Sequence, residues 1–233
     1  PGFINYFKKS FPEELKKPMF NLMNGINEEF LHNSSKVSLP KNYTFNVLYI
    51  GNIGKAQGLD IIIETAKKLV GYPIHFRFIG EGTKKEELID LAQKKGLKNV
   101  FFDNALPRLK LIQEIKKSNV CLVPLLKNDL FKLAIPSKMF EIMACSKPII
   151  LGVKGEAEKF ISNNNCGIIV EPENSDDYKN AILSYFNNKE MVIKHGENGV
   201  NYVTNNMQKE FLLSKFLFEL KNKDKDLSLN TKI

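Results

Sequence analysis

The sequence is poor in arginine: Arg77 and Arg108 are its only two, although the formal net charge is +8. The positive charge therefore comes from lysines, which are spread along the chain among glutamates. Nucleic-acid-binding proteins usually gather Lys and Arg into a patch or stripe, and no such patch with interleaved aromatic residues is present. A nucleic-acid partner is thus not expected, whereas weak attraction to an anionic membrane surface stays open.

Cysteine and histidine are also scarce, with three residues of each. Cys121, Cys145 and Cys166 are odd in number, far apart and flanked by apolar residues. This pattern argues against a disulfide framework and indicates buried thiols in a reducing compartment. No histidine has a cysteine, a second histidine or a carboxylate at the spacing of metal ligands. We therefore expect a cytoplasmic protein that needs no metal.

Long apolar runs are absent as well, because none approaches the roughly 20 residues of a membrane-spanning helix. No segment has the pattern of a signal peptide. Hydrophobic residues make up 43% and charged residues 26% of the 233 positions, which is typical of a globular protein. Since the first residue is proline, we expect a fragment of a longer protein.

What the sequence does contain is an alternation of short apolar runs and helical patterns from residue 45 onward. Each of six apolar runs predicts a β-strand, and each is followed by apolar residues at helical spacing. Strands this apolar fit burial on both faces of a sheet. The predicted fold is a doubly wound, six-stranded parallel α/β sheet. The predicted strands are 45–51, 74–80, 99–102, 119–125, 147–152 and 166–172, and the predicted helices are 59–70, 84–96, 109–118, 137–146, 156–164 and 175–188.

The two ends of the chain do not follow this alternation. Residues 4–11 predict a short amphipathic helix, and Asn24–Gly25 predicts a turn ahead of a polar linker at 31–44. Residues 207–220 predict a strongly apolar helix. The charged residues that follow it, KNKDKD, predict a solvated and unstructured tail.

The first candidate for chemistry is the loop GNIGKAQG, residues 51–58. In a doubly wound sheet with strand order 3-2-1-4-5-6, ligands bind beyond the carboxyl ends of the strands. There the loops after the first and fourth strands face each other. Gly51, Gly54 and Lys55 lie in the first of these loops, directly before a predicted helix. The loop fits neither the dinucleotide-binding pattern nor the Walker pattern.

The second candidate is the loop at residues 123–138, which ends with Pro136 and Ser137 in capping positions of a helix. Lys138 follows at the start of that helix. Free backbone N–H groups, two helix N-termini and the ammonium groups of Lys55 and Lys138 would together suit a diphosphate. The alternative from spacing alone is a pair of ordinary tight turns.

Three further positions would complete a nucleotide site around these loops. Glu141, one helical turn after Ser137, could accept hydrogen bonds from a vicinal diol such as a ribose. It could equally be a surface glutamate that the helix dipole favours. Gly80 and Glu81 after the second strand, with Ala105 and Leu106 after the third, would form the wall where a base could lie. Each of these segments alone is only a turn.

Four motifs occur in a fixed order: GNIGKAQG (51–58), FIGEG (78–82), IPSKMFEIMACSKPII (135–150) and GEAEKFI…CGIIVEP (155–172). Together they resemble the C-terminal, donor-binding domain of retaining glycosyltransferases with the GT-B fold. The nearest pattern is the bacterial branch that builds surface polysaccharides such as capsule and lipopolysaccharide, including N-acetylfucosamine transferases. PGFINYF and NGINEEF are similar to the family's last N-domain segment and its entry to the second domain.

This resemblance implies a UDP-sugar donor whose diphosphate lies between residues 51–58 and 136–138, near Lys55 and Lys138. Glu141 would hold the ribose hydroxyls, and the base would contact the backbone around Ala105 and Leu106. No metal would be needed. The acceptor would be a glycan or a lipid-linked glycan bound by a missing N-terminal domain, with possible peripheral association with the inner membrane.

Three positions depart from the family's pattern. The first glutamate of its Glu-x7-Glu motif falls on Leu133, the arginine after the loop's first glycine on Asn52, and the lysine before its last glycine on Gln57. Lys55 is a candidate to replace the missing cation. These departures affect recognition of the donor sugar more than binding of the nucleotide.

The expected organisation is an N-domain remnant with linker at 1–40, a Rossmann-like nucleotide-sugar-binding domain at 41–205, and a crossing-back helix with charged tail at 206–233. Two other functions stay open. A nucleotide-sugar epimerase of the same fold would need carboxylates and histidines lining the cleft. A non-catalytic binding module should tolerate the loss of Lys55 and Glu141.

Overall fold

A computed structural model describes residues 2–12, 19, 22–27, 29–30 and 44–230, and only the backbone for 222–230. Within these residues the chain forms six strands: β1 Phe45–Ile50, β2 Ile74–Ile79, β3 Val100–Asp103, β4 Val120–Pro124, β5 Ile149–Gly152 and β6 Gly167–Ile169. They form one sheet in the order β3-β2-β1-β4-β5-β6, and all neighbours are parallel. The predicted fold class and strand order are confirmed.

Helices connect the strands and flank the sheet. They begin and end as follows: α1 Gly2–Ser10, α2 Asp60–Lys68, α3 Lys85–Lys94, α4 Arg108–Lys117, α5 Lys138–Ala144, α6 Glu156–Asn164, α7 Ser175–Asn187, α8 Lys189–Asn206 and α9 Lys209–Asn230. Two short 3₁₀ turns, Lys55–Gln57 and Phe131–Leu133, lie in the loops after β1 and β4.

Both faces of the sheet are buried, because alternate strand residues enter two separate apolar clusters. Val47 and Tyr49 of β1 belong to one cluster with residues of α2, α3 and α7. Leu48 and Ile50 belong to the other, with residues of α4, α5 and α6. Full burial of each large apolar side chain contributes about 1.5–3 kcal/mol. Helices on both faces therefore fix the sheet and leave its strand ends to carry loops.

The helix α8 was not predicted from the sequence. Its apolar residues are interrupted by His195, Gly196 and Gly199, which weakens the helical pattern. The glycines serve packing: a Cβ at Gly196 would lie 2.2 Å from the carbonyl oxygen of Ser146. α8 is therefore positioned by its close approach to the end of α5, and the sequence lacks the regular apolar spacing that usually marks a helix.

Two predictions for the chain ends were wrong. Asn24–Gly25 does not form a turn; instead Ile26 forms a parallel bridge with Gln208, and its N–H donates to Met207. The charged tail continues α9 as far as Asn230. No glycine or proline interrupts the chain after residue 209, so nothing breaks the helix, and charge alone does not exclude one. The linker predicted at 31–44 lies outside the described residues except for its last position.

The prediction of buried thiols is confirmed, since Cys121, Cys145 and Cys166 are free and buried. Among the helices of the described residues, none combines the length and the apolar character that crossing a bilayer requires.

Candidate functional site

The two candidate loops meet at the carboxyl ends of β1 and β4, which lie side by side in the middle of the sheet. The backbone N–H of Leu126 donates to the carbonyl of Ala56 at 2.9 Å. Gly58 has φ of +56°, and a Cβ there would lie 2.6 Å from the Leu126 side chain. Glycine is therefore needed for this contact. The loops after the first and fourth strands face each other as predicted.

The loop at residues 51–58, called the glycine loop from here on, lies over the side chain of Lys138, the first residue of α5. The Lys138 Nζ donates to the carbonyl of Ile50 at 2.8 Å and to Tyr49 Oη at 3.2 Å, and it lies 4.4 Å from the centre of the Tyr49 ring. Tyr49 Oη in turn donates to the carbonyl of Asn52 at 2.5 Å. Gly51, at φ of +115°, leaves room for the ammonium, because a Cβ would lie 3.0 Å from Nζ.

Burial shifts the titration of the charged groups around this lysine. Desolvation lowers the pKa of Lys138 to about 8, and the carboxylate of Glu141 opposes that shift. Desolvation also raises the pKa of Glu141, while Arg108 and Lys138 lower it. An ammonium and a carboxylate are thus held near each other at the start of α5, next to the end of β1.

The glycine loop is fastened to the neighbouring loop through its backbone. The N–H of Gly51 donates to Ile79 at 3.0 Å, and that of Ile53 donates to the carbonyl of Glu81 at 2.7 Å. Gly80 has φ of +156°, and a Cβ there would lie 1.9 Å from the carbonyl oxygen of Gly51. The close approach of the two loops therefore depends on glycine.

Some backbone N–H groups of the glycine loop donate no hydrogen bond within the described residues. Gly54 donates its N–H to the Gln57 side chain at 3.1 Å. By contrast, the N–H groups of Asn52, Lys55 and Ala56 have no acceptor among the described residues. The Lys55 side chain is exposed and makes no ion pair within that part of the chain. These groups could receive an anion.

The start of α5 offers a diphosphate less than the sequence suggested. Ser137 occupies the N-cap position but makes no side-chain capping hydrogen bond, and α5 has only seven residues. Pro136 accepts the N–H of Met139 at 3.0 Å. The N–H groups of Ser137 and Lys138 are first-turn donors, which an α-helix leaves without internal partners.

A cavity of about 380 Å³ opens beside Ser137, between the loop after β4 and α1. Leu133 lies on its wall, so residue 133 supplies no carboxylate there. Glu156, at the start of α6, also lines the cavity, as do Phe140 and Phe3. Sequence reasoning did not single out Glu156, although it follows the quoted glycine of the fourth motif.

The predicted base wall is assembled by side chains. The N–H of Ala105 donates to Glu81 Oε1 at 3.1 Å, and the half-buried Leu106 packs against the apolar core. Lys85, which was not predicted, donates to the Glu81 carboxylate and to Asn104 Oδ1 in the loop after β3. The structure therefore brings Glu81 and Ala105 together as neighbours.

Arg108 is a third residue that sequence reasoning missed, after Glu156 and Lys85. It begins α4 directly after the base wall, its guanidinium lies 3.7 Å from Glu29, and its charge lowers the pKa of Glu141 against the effect of burial. Its rarity was the available signal, because it is one of two arginines and follows a candidate wall.

A second cavity, of about 480 Å³, lies between the loops after β4, β5 and β6. Glu171 on its wall pairs with Lys127 at 2.9 Å and Lys154 at 3.4 Å. In the part of the chain that the structure describes, no group of three or more His, Cys, Asp and Glu side chains could hold a metal ion.

Comparison with known proteins shows that the chain matches a family. Residues 31–202 match the family described as "Glycosyl transferases group 1". The chain is 27% identical over 197 residues to the uncharacterized glycosyltransferase MJ1178 of Methanocaldococcus jannaschii, covering 84% of this chain and 52% of that protein. It is 26% identical over 190 residues to the putative colanic acid biosynthesis glycosyl transferase WcaI of Escherichia coli, covering 80% and 45%. The chain spans about half the length of these curated relatives.

A solved structure shows the same fold. A mutant of S. aureus TarM, crystallised with fondaparinux, alpha-GlcNAc-glycerol and UDP, superposes with a TM-score of 0.72 at 20% identity. The likeness covers 90% of this chain and 41% of TarM.

Proposed function

The chain belongs to the glycosyl transferases group 1 family, and we propose that it is the donor-binding half of an enzyme that transfers a sugar from a UDP-sugar. The acceptor is a polysaccharide or a lipid-linked glycan in bacterial cell-surface glycan synthesis. Its relative WcaI, a putative colanic acid biosynthesis glycosyl transferase, and the UDP in the TarM complex support this choice. The acceptor site lies in the part of the enzyme that the relatives have and this chain lacks.

The observation that carries the proposal is the contact of Lys138 with the carboxyl end of β1. Its ammonium lies 2.8 Å from the carbonyl of Ile50, next to a loop with unused N–H groups at Lys55 and Ala56. The two loops thus meet where the strand order reverses, which is where doubly wound sheets bind ligands. The Lys138 ammonium lies at this point, and the exposed Lys55 belongs to one of the two loops. A diphosphate has the charge and the acceptor oxygens for such a place.

The remaining parts of a UDP-sugar follow from this placement. Glu141 accepts hydrogen bonds from the ribose hydroxyls, and the backbone around Ala105 and Leu106 contacts the base. The sugar extends toward the cavity of about 380 Å³ next to Ser137. Because Leu133 lies on that wall, the donor sugar is held differently from the family's usual pattern.

The reaction in this proposal is retaining and independent of metal. The acceptor hydroxyl attacks the anomeric carbon on the face that the diphosphate leaves, so a carbon–oxygen bond forms as another breaks. The departing diphosphate oxygen takes the hydroxyl proton. Lys55, Lys138 and the free N–H groups of the glycine loop offset the charge that develops on the diphosphate.

An epimerase finds no support in the histidines of the described residues. His75 lies near the amino end of β2, away from the candidate site, and its ring centre is 5.1 Å from that of Phe101. His195 is hydrogen-bonded to Tyr185 at 2.8 Å and packs in α8. His32 lies outside the described residues.

A thermal-shift panel of UDP, GDP, ADP and TDP tests the proposed donor. UDP is expected to raise the melting temperature progressively with its concentration, because a ligand that binds only the folded chain stabilises it by RT ln(1 + L/Kd), where L is the free ligand concentration. This chain alone is expected to bind UDP weakly and to transfer no sugar. Stabilisation by another nucleotide but not by UDP would contradict the donor assignment.

Two substitutions separate an enzyme half from a non-catalytic module. Lys55→Ala and Glu141→Ala should each weaken UDP binding by about 1–3 kcal/mol, because each removes a charge-assisted contact. Isothermal titration calorimetry measures this. Lys67→Ala and Glu190→Ala, exposed positions in α2 and α8, serve as controls and should leave the affinity unchanged. A module that only needs the fold would tolerate all four changes.

A further inference from the structure

Lys85 is a buried lysine that ties two loops together. It is 7% exposed, although it begins α3 at the protein surface. Its Nζ lies 3.2 Å from both carboxylate oxygens of Glu81, 3.1 Å from the carbonyl of Asp103 and 2.7 Å from Asn104 Oδ1. An ammonium has three N–H donors, so this one is fully engaged between the loops after β2 and β3.

Besides its contact with Lys85, Glu81 makes two further contacts of different kinds. Its backbone carbonyl accepts the N–H of Ile53, in the glycine loop, at 2.7 Å. Its carboxylate accepts the N–H of Ala105, in the loop after β3, at 3.1 Å. One residue therefore touches both the candidate diphosphate loop and the candidate base wall.

The loop after β3 has few other attachments. Between Asn104 and Leu106, the hydrogen bonds within the described residues are those from Lys85 to Asn104 and from Ala105 to Glu81. The Ala105 bond is charge-assisted, which makes it stronger than a bond between neutral groups. The bond to Ala105 is the largest cause of the lowered pKa of Glu81, followed by the bond to Lys85.

We propose that Glu81, supported by Lys85, is a positioning residue that fixes the Ala105–Leu106 backbone at a set distance from the glycine loop. The base and the diphosphate of one nucleotide are then recognised together. This inference rests on the proposed function, and it gives Glu81 a role that does not require contact with the nucleotide.

Hydrogen exchange of the Ala105 amide tests the tether without any nucleotide. Glu81→Ala should speed the exchange of this amide by about tenfold or more, because its acceptor is lost. Glu81→Gln keeps an acceptor oxygen and should restore part of the protection. Glu87→Ala is the matched control: Glu87 pairs with Lys84, and its side chain is 60% exposed against 58% for Glu81. Unchanged Ala105 exchange in Glu81→Ala would overturn the proposal.

Ligand affinity then tests whether the tether positions the base. Glu81→Ala should raise the Kd for UDP by about tenfold, a typical loss for one charge-assisted contact. It should leave the Kd for inorganic pyrophosphate within about twofold, because the bond from Ile53 goes to the main chain of residue 81. Lys85→Met should act in the same direction, and the double variant should add little to either single change.

The outcomes distinguish this inference from the proposed function. If the wild-type chain binds UDP and Glu81→Ala weakens UDP and pyrophosphate equally, the change damages the site as a whole and the positioning role is wrong. If the wild-type chain binds no UDP, the proposed function fails and this inference fails with it. Selective loss of UDP binding, partly restored in Glu81→Gln, would support both.

Discussion

The two walls of the candidate site differ in how they are held. The hydrogen-bonded wall, residues 51–58, 80–85 and 104–107, is joined by backbone bonds such as that from Ile53 to Glu81. The open wall, residues 125–137, is exposed at 127–130 and borders both cavities. Its first residues, Leu125 to Lys127, are bonded to the end of β5 and to other loops, but beyond Lys127 its hydrogen bonds are short-range, such as that from Leu130 to the Asn128 side chain.

This difference has a functional meaning within the proposed function. A nucleotide is common to many donors, so its site can be rigid, whereas a sugar and an acceptor vary and need an adaptable wall. The family's motif is interrupted at Leu133 on the open wall, while the close approach of Gly80 to Gly51 is kept on the other wall. Substitutions that change one wall at a time test this difference.

The largest effect is expected for Gly80→Ala on the hydrogen-bonded wall. A Cβ would lie 1.9 Å from the Gly51 carbonyl oxygen, at a φ of +156°, so the loops must separate. We expect a loss of more than about 3 kcal/mol in the free energy of unfolding, measured with urea. Gly71→Ala is the control, because its φ is +99° but nothing lies within 4 Å. It should cost about 1–2 kcal/mol from backbone strain. Equal costs for the two variants would show that the loop contact is not tight.

A medium effect is expected from the titration of Lys138, which joins the walls. Its pKa is about 8 in the folded chain and near 10.4 in an unfolded one. The unfolded chain therefore binds more protons between these values, and the free energy of unfolding rises with pH in that window. Relative to Lys138→Met, the gain should be about 1–3 kcal/mol. The Tyr49 ring and the Ile50 carbonyl favour the charged form and keep the gain toward the lower end.

UDP affinity should move the opposite way over the same pH window. Only the protonated ammonium attracts a diphosphate, so the Kd should rise as Lys138 loses its proton, and Lys138→Met should show a weaker pH dependence. Calorimetric titrations at pH 7, 8 and 9 measure this. A UDP affinity that rises with pH in the wild-type chain would show that Lys138 only supports the loop.

The smallest effect is expected for Asn128→Ala on the open wall. The change removes the bond from the Leu130 N–H to Asn128 Oδ1, 2.8 Å long and exposed. The free energy of unfolding should fall by less than about 1 kcal/mol, as for other exposed hydrogen bonds. Urea unfolding measures this change, and a UDP titration measures any change in affinity. A loss as large as that of Gly80→Ala would remove the distinction between the walls.

The fold could be predicted from the sequence because its signals are local. Buried parallel strands are apolar runs, and the helices that follow them showed their periodicity or their stop, as at Gly96 with φ of +65°. The strand order followed from the chirality of the crossovers and from known doubly wound sheets. α8 escaped because Gly196 packs against Ser146, a contact that no periodicity reveals.

The candidate site could be predicted only in outline. The loops at 51–58 and 136–138 were found because glycines and a proline mark them. The engagement of Lys138 with Ile50 depends on how far the side chain reaches across β1, which spacing does not encode. Likewise, the bond between Glu81 and Ala105 joins residues of two separate loops. The roles of the individual site residues stay predictions.

The bridge between Ile26 and Gln208 has a mechanical consequence. Ile26 and Met207 are both buried in the same apolar cluster, so the segment at 22–27 is held against the beginning of α9 by apolar packing as well as by the bridge. A chain nicked by a protease anywhere between residues 31 and 43 should keep its first piece attached without a covalent link.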